Sequence, residues 1–149
     1  MKTASLLLKS LESLNWDAYI ELCDSLLKIN RQLIDDELSN QSIMYSYYNG
    51  LLSEAKKREE YADLALIQYM ATTRTEHKDK HAKDLRKLTA NDLQAHVESQ
   101  PSYMEKKSAL LEAANKAELV KGIVRALEHR KDCLIQLSSN ARAETKIHQ

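Results

Sequence analysis

From Leu38 to Thr73 the chain repeats a spacing of three or four residues, through Leu38, Gln41, Tyr45, Tyr48, Leu52, Ala55, Glu59, Ala62, Leu66, Tyr69 and Thr73. Eight of these eleven positions are Leu, Ala or Tyr. That period is one face of an α-helix, so the stretch reads as a single long helix with a coiled-coil-like stripe. The whole chain of 149 residues contains only two Gly and one Pro. Turn-rich β architectures and glycine loops that cradle phosphates therefore have almost no raw material. The predicted fold class is all-α, built from long amphipathic helices in a helical hairpin with N-terminal helices, as one folding unit.

The first forty residues form an N-terminal helical region, with Leu6, Leu7, Leu11, Leu14, Tyr19, Ile20, Leu22, Leu26, Leu27, Ile29, Leu33 and Ile34 at roughly helical spacing and Asn15 placed to cap a helix. Residues 41–149 form the long-helix region. Thr89 and Asp92 make a capping-box pattern for a short helix through about Val97, and Pro101 sits where a helix start tolerates it. A last helix is predicted from about Ser102 into the 140s. Helices of ~30 to 40 residues span ~45 to 60 Å, more than a compact small domain covers. Self-association follows from that geometry, with Val120, Ile123, Val124, Leu127 and Leu134 as the oligomerisation stripe.

No apolar run approaches the ~20 residues that cross a bilayer, and Lys9 and Glu12 interrupt the early leucine cluster, unlike a signal peptide. The expectation is a cytoplasmic protein without membrane contact. Cys23 and Cys133 each lie in an apolar helical pattern and read as buried free thiols.

Charge is zero overall but unevenly placed. Residues 1–40 hold four Lys/Arg against seven Asp/Glu, residues 74–87 six against three, and residues 116–146 seven against four. An acidic beginning and two basic regions divide the surface. His77 and His81 lie four apart, a spacing that holds metals on a helix, but the intervening "KDK" lacks a zinc-hydrolase glutamate, the lysines repel cations and further ligands are not apparent. Glu60 and Asp63 resemble half of the acidic signature of nucleotide pyrophosphohydrolases, yet Asn40 stands where the first half needs an acid. With no nucleophile elbow, P-loop, dinucleotide fingerprint or paired-cysteine site, no catalytic constellation, metal or cofactor is expected.

Tyr45, Tyr47, Tyr48, Tyr61 and Tyr69 cluster around Lys56, Lys57 and Arg58, just before "RTEHKDKHAKDLRK". Aromatics beside cations suit single-stranded nucleic acid, the rings stacking bases and the cations neutralising phosphates. Tyr45, Tyr48 and Tyr69 fall on the apolar stripe, which equally suits a core role; Tyr47 and Tyr61 lie off it. The candidate nucleic-acid-binding residues are Lys56, Lys57, Arg58, Arg74, Lys78, Lys80, Lys83, Arg86 and Lys87.

The segment "LVKGIVRALEHRKDCLIQLSSNARAE", Leu119 to Glu144, resembles the end of UvsY-type recombination mediators of tailed phages: an apolar stripe leading through Leu127 to Arg130, then Leu134 and a charged tail. Upstream, "KLTANDLQAHVESQPSY" is similar to that family's capped short helix, and "SIMYSYYNGLLSEAKKREEYADLALIQY" to its long basic, tyrosine-containing helix. The resemblance covers roughly residues 42–144. It implies a non-enzymatic protein that binds single-stranded DNA and helps a recombinase displace single-strand-binding protein. It also implies a closed, heptamer-like homo-oligomeric ring joined through C-terminal helices. Where the family's long helix has a Lys/Arg pair for DNA, this chain has Leu64 and Leu66. The cationic role then falls to Lys56, Lys57 and Arg58 or to residues 74–87. A different class, a helical phage assembly or scaffolding protein without DNA binding, has the same composition, and single-strand binding discriminates the two.

Overall fold

The computed structural model describes residues 11–83 and 88–147, the side chains of 145–147 excepted. Among the described residues all regular structure is helical: α1 (Trp16–Leu27), a 3-10 turn (Arg31–Leu33), α2 (Ile34–Lys80), α3 (Ala90–Glu98) and α4 (Pro101–Ile147). The caps follow the sequence. Asn15 Oδ1 accepts the Ala18 N–H at 2.8 Å, and Thr89 and Asp92 close a reciprocal capping box at the start of α3. Pro101 opens α4, where its missing N–H costs nothing. α2 runs past both predicted ends, because Asp35, Asp36 and Glu37 suit its first turn and the Lys- and Glu-bearing stretch after Thr73 contains no breaker. Half of "RTEHKDKHAKDLRK" is thus helix; residues 84–87 lie outside the described residues.

The chain divides into two compact units, one comprising Met1–Ala55 with Lys116–Gln149 and the other Lys56–Asn115. This differs from a division at residue 40. The N-terminal helices find their apolar cover on α4, so the two ends of the chain share one core.

In the first unit that core joins Leu11, Leu14, Leu22, Leu26, Met44, Tyr48, Ala55 and the α4 residues Ala117, Leu119, Val120, Ile123, Val124 and Leu127. Here the sequence expectation is corrected. Val120, Ile123, Val124, Leu127 and Leu134, expected as a stripe for neighbouring subunits, are buried within the single chain. Each such aliphatic side chain contributes ~1.5–3 kcal/mol by leaving water, and α1 and the first part of α2 supply that shelter intramolecularly. Cys133 is exposed, against the expectation of a buried thiol, and Cys23 is half-buried.

A polar chain crosses this core. Glu37 accepts the Asn30 backbone N–H at 3.2 Å and the Arg130 guanidinium. Arg130 Nη1 donates to Gln41 Oε1 at 2.6 Å, and Gln41 Nε2 donates to the Leu127 carbonyl at 2.6 Å. Arg130 and Gln41 are both buried. A buried guanidinium is tolerable only when paired, and here Glu37 and Gln41 share the task, although Arg130 Nε has no hydrogen-bond partner among the described residues.

Two helical glycines differ in what surrounds them. A Cβ at Gly50 meets nothing within 4 Å, whereas at Gly122 it would lie 2.7 Å from Tyr19 Oη and 3.1 Å from Tyr19 Cε2. Gly122 therefore lets the α1 ring lie against α4. Gly50→Ala is expected to stabilise the protein by about 0.5–1 kcal/mol through helix propensity, whereas Gly122→Ala loses that gain by displacing Tyr19. Urea unfolding of the two variants measures the difference, and equal gains would contradict the close approach. Arg130→Met is expected to destabilise by about 3 kcal/mol, because Glu37 loses its ion pair and Gln41 Oε1 its donor. Its effect in a Glu37→Gln background should be smaller, which a double-mutant cycle reads directly.

Candidate nucleic-acid interface

The second unit has a thin interior. Leu66 and Val97 are its buried apolar residues among those described, with Tyr69, Met70, Leu93, Tyr103 and Leu110 half-buried. The Lys106 ammonium lies 5.8 Å from the centroid of the Tyr69 ring, close enough for a cation–π attraction. On the opposite side of α2 from Leu66, Leu64 is exposed and Tyr61 is 72 % exposed. The two leucines that replace the resembled family's cationic pair thus point to opposite sides. Leu66 belongs to the interior, and Leu64 presents an apolar group to solvent.

Lys56, Lys57 and Arg58 are all exposed at the start of this unit. Three consecutive helical residues are ~100° apart and cannot all face one ligand. Lys57 shares its face with Tyr61, one turn on, and with Leu64, so cation and ring lie side by side. The other candidate tyrosines are engaged elsewhere. Tyr48 is fully buried with Tyr47 edge-on against it, and the Tyr45 hydroxyl donates to Glu128 Oε1 at 3.1 Å, which raises the phenol above its ordinary pKa. Tyr61 could be separated from them in the sequence by its place off the stripe.

The basic segment splits in the structure. Lys78, Lys80 and Lys83 are exposed. Arg74 is half-buried and donates to Gln94 Oε1 of α3, whose amide in turn donates to Glu98. It fastens α3 to α2 rather than facing solvent. Arg86 and Lys87 lie outside the described residues.

The histidine pair gains a member that the sequence spacing did not reveal. His96, in the last turn of α3, stacks on His77 with ring centroids 3.7 Å apart and planes 10° from parallel. His81 tilts against His77 at 4.6 Å and 60°. Imidazole nitrogens point outward in the ring plane, so the parallel pair does not aim its lone pairs at one point. Among the described residues, no group of three or more His, Cys, Asp or Glu is arranged to hold a metal. Nor is any described helix long and apolar enough to cross a membrane. No family model matches the chain, and neither a curated protein nor a solved structure matches it.

Two outcomes test these placements. Arg74→Ala should loosen α3, seen as faster amide exchange over residues 90–98, without reducing the salt dependence of any anion binding. Exhaustive chelation should leave the melting temperature unchanged, and zinc retained stoichiometrically after dialysis would contradict the stacked-ring assignment.

Proposed function

We propose that this chain is a non-enzymatic, single-stranded-DNA-binding recombination mediator that helps load a recombinase onto DNA coated by single-strand-binding protein. The observation that carries the reading is the exposed face of α2 on which Lys57 and Tyr61 lie one turn apart, beside Lys56 and Arg58. A cation there neutralises a phosphate while the ring offers a stacking platform to any base. Lys78, Lys80 and Lys83 extend the positive surface toward the end of the same helix. The likeness of residues 42–144 to UvsY-type mediators supplies the biological role.

A neutral subunit binds DNA weakly by itself. In a closed homo-oligomeric ring with helical-hairpin subunits, each weak patch is repeated and the contacts act together. Because Val120, Ile123, Val124, Leu127 and Leu134 are spent on the chain's own core, subunit contacts fall to apolar groups left outside. Met104 and Leu111, two turns apart on α4, are exposed. The cytoplasm is the compartment in which such a mediator meets its recombinase, and it needs no metal, cofactor or membrane.

Fluorescence anisotropy with unrelated single-stranded oligonucleotides across a salt series tests the reading. Lys57→Ala should flatten the logarithmic salt slope by about 0.7, the value for one lost phosphate contact. Tyr61→Ala should weaken binding by about 1–3 kcal/mol with little change of slope. Light scattering on the same samples separates a lost contact from a broken assembly. Absence of single-strand binding at moderate salt by an intact oligomer would replace this reading with a purely structural assembly protein.

A further inference from the structure

The nine residues of α3 are too few to hold a helix by themselves, so its order depends on what it rests upon. Two polar or aromatic contacts tie it to the end of α2: the Arg74–Gln94 hydrogen bond and the stack of His96 on His77. Val97 beside them is fully buried. The stack is itself joined to a third imidazole, since His77 also contacts His81. Neutral imidazoles stack favourably at this distance. Imidazolium rings repel, and three of them share one small volume.

We propose that the His77, His81 and His96 cluster is a proton-operated latch that holds α3 against the end of α2 at neutral pH and releases it under mild acid. The charged and titratable groups that bear on His77 from both elements favour this direction. Lys80 and His81 on the α2 side and His96 on α3 all oppose a positive charge on it, and desolvation is the largest influence in the same sense. Among the described residues, Asp92 of α3 favours the charge, and its carboxylate also accepts the Thr89 N–H and hydroxyl in the capping box. His77 is accordingly held below the ordinary histidine value.

The sign follows from proton counting. With the docked pKa below that of a released histidine, ~6.5, the released state binds more protons in the interval between them. Docking is therefore complete above about pH 6.5 and weakens as pH falls through that interval. Release would free Arg74 and add the His77 imidazolium charge to the end of α2 that carries Lys78, Lys80 and Lys83. The latch is independent of whether the chain binds DNA.

Amide hydrogen exchange of the full chain at pH 7.5 and 5.5, corrected for intrinsic rates, tests it. Protection over residues 90–98 should fall at the lower pH, by up to the roughly tenfold that one histidine with a released value of ~6.5 allows between these pH values, while that of residues 117–134 is retained. His77→Phe keeps a ring in the stack but removes the group whose proton uptake drives release, and its protection over the same residues should be equal at the two pH values. Unchanged protection in the unmodified protein would overturn the proposal, as would an equal fall in His77→Phe. Should that variant fail to fold, nuclear magnetic resonance titration of the unmodified protein decides. A His77 midpoint below 6.5, matched by the amides of α3, supports the latch, whereas a midpoint at or above 6.5 excludes it.

Discussion

The burial of one guanidinium organises the first unit. Arg130 lies within a helix face otherwise made of Val, Ile and Leu, and it can occupy that place only because Glu37 and Gln41 reach it from α2. Gln41 then spends its amide on the Leu127 carbonyl, and Glu37 spends its second role on the Asn30 backbone. A shift of α2 by one turn along α4 would part the Arg130 charge from Glu37 and Gln41, and the Gln41 amide from the Leu127 carbonyl. The apolar side chains around them supply most of the free energy. Because Leu packs against Leu in many registers, the polar chain is what singles out one.

The second unit is built on the opposite principle. Its interior holds few fully buried groups among the described residues, and its contacts are individually modest: a ring stack, a charged hydrogen bond, an ammonium over a tyrosine. Such an assembly has low local stability and opens more readily than a well-packed core. It is also where the outward cations and the exposed Tyr61 are found. Outward cations and a thin interior coincide because side chains turned toward solvent are not available for packing. Leu64, Ile67, Met104 and Leu111 remain outside for the same reason.

The correction at the C-terminal stripe has a general cause. A row of apolar residues on a long helix states that something must cover it, and the period is identical whether the cover is another subunit or another part of the chain. Val120, Ile123 and Leu127 are covered by residues from before Ala55, more than sixty positions away. Likewise Arg74 looked equivalent to Lys78 in a basic segment. Only the presence of Gln94 across from it separates an anchoring cation from a free one.

What the sequence determined by itself was local. The scarcity of Gly and Pro and the three-four period were sufficient for an all-α chain. Asn15, Thr89 with Asp92, and Pro101 marked helix starts, because a cap is a contact between residues three apart. Tyr61 stood off the stripe and is exposed for that reason. What the tertiary structure alone decided was every choice that depends on residues distant in the chain. Pairing of Arg130 with Glu37, the cover over Val120 and Leu127, the use of Gly122 to admit Tyr19, and the arrival of His96 on His77 are of this kind. Helical periodicity records which side of a residue is buried, not against what, since the hydrophobic effect is indifferent to the identity of the surface that excludes water.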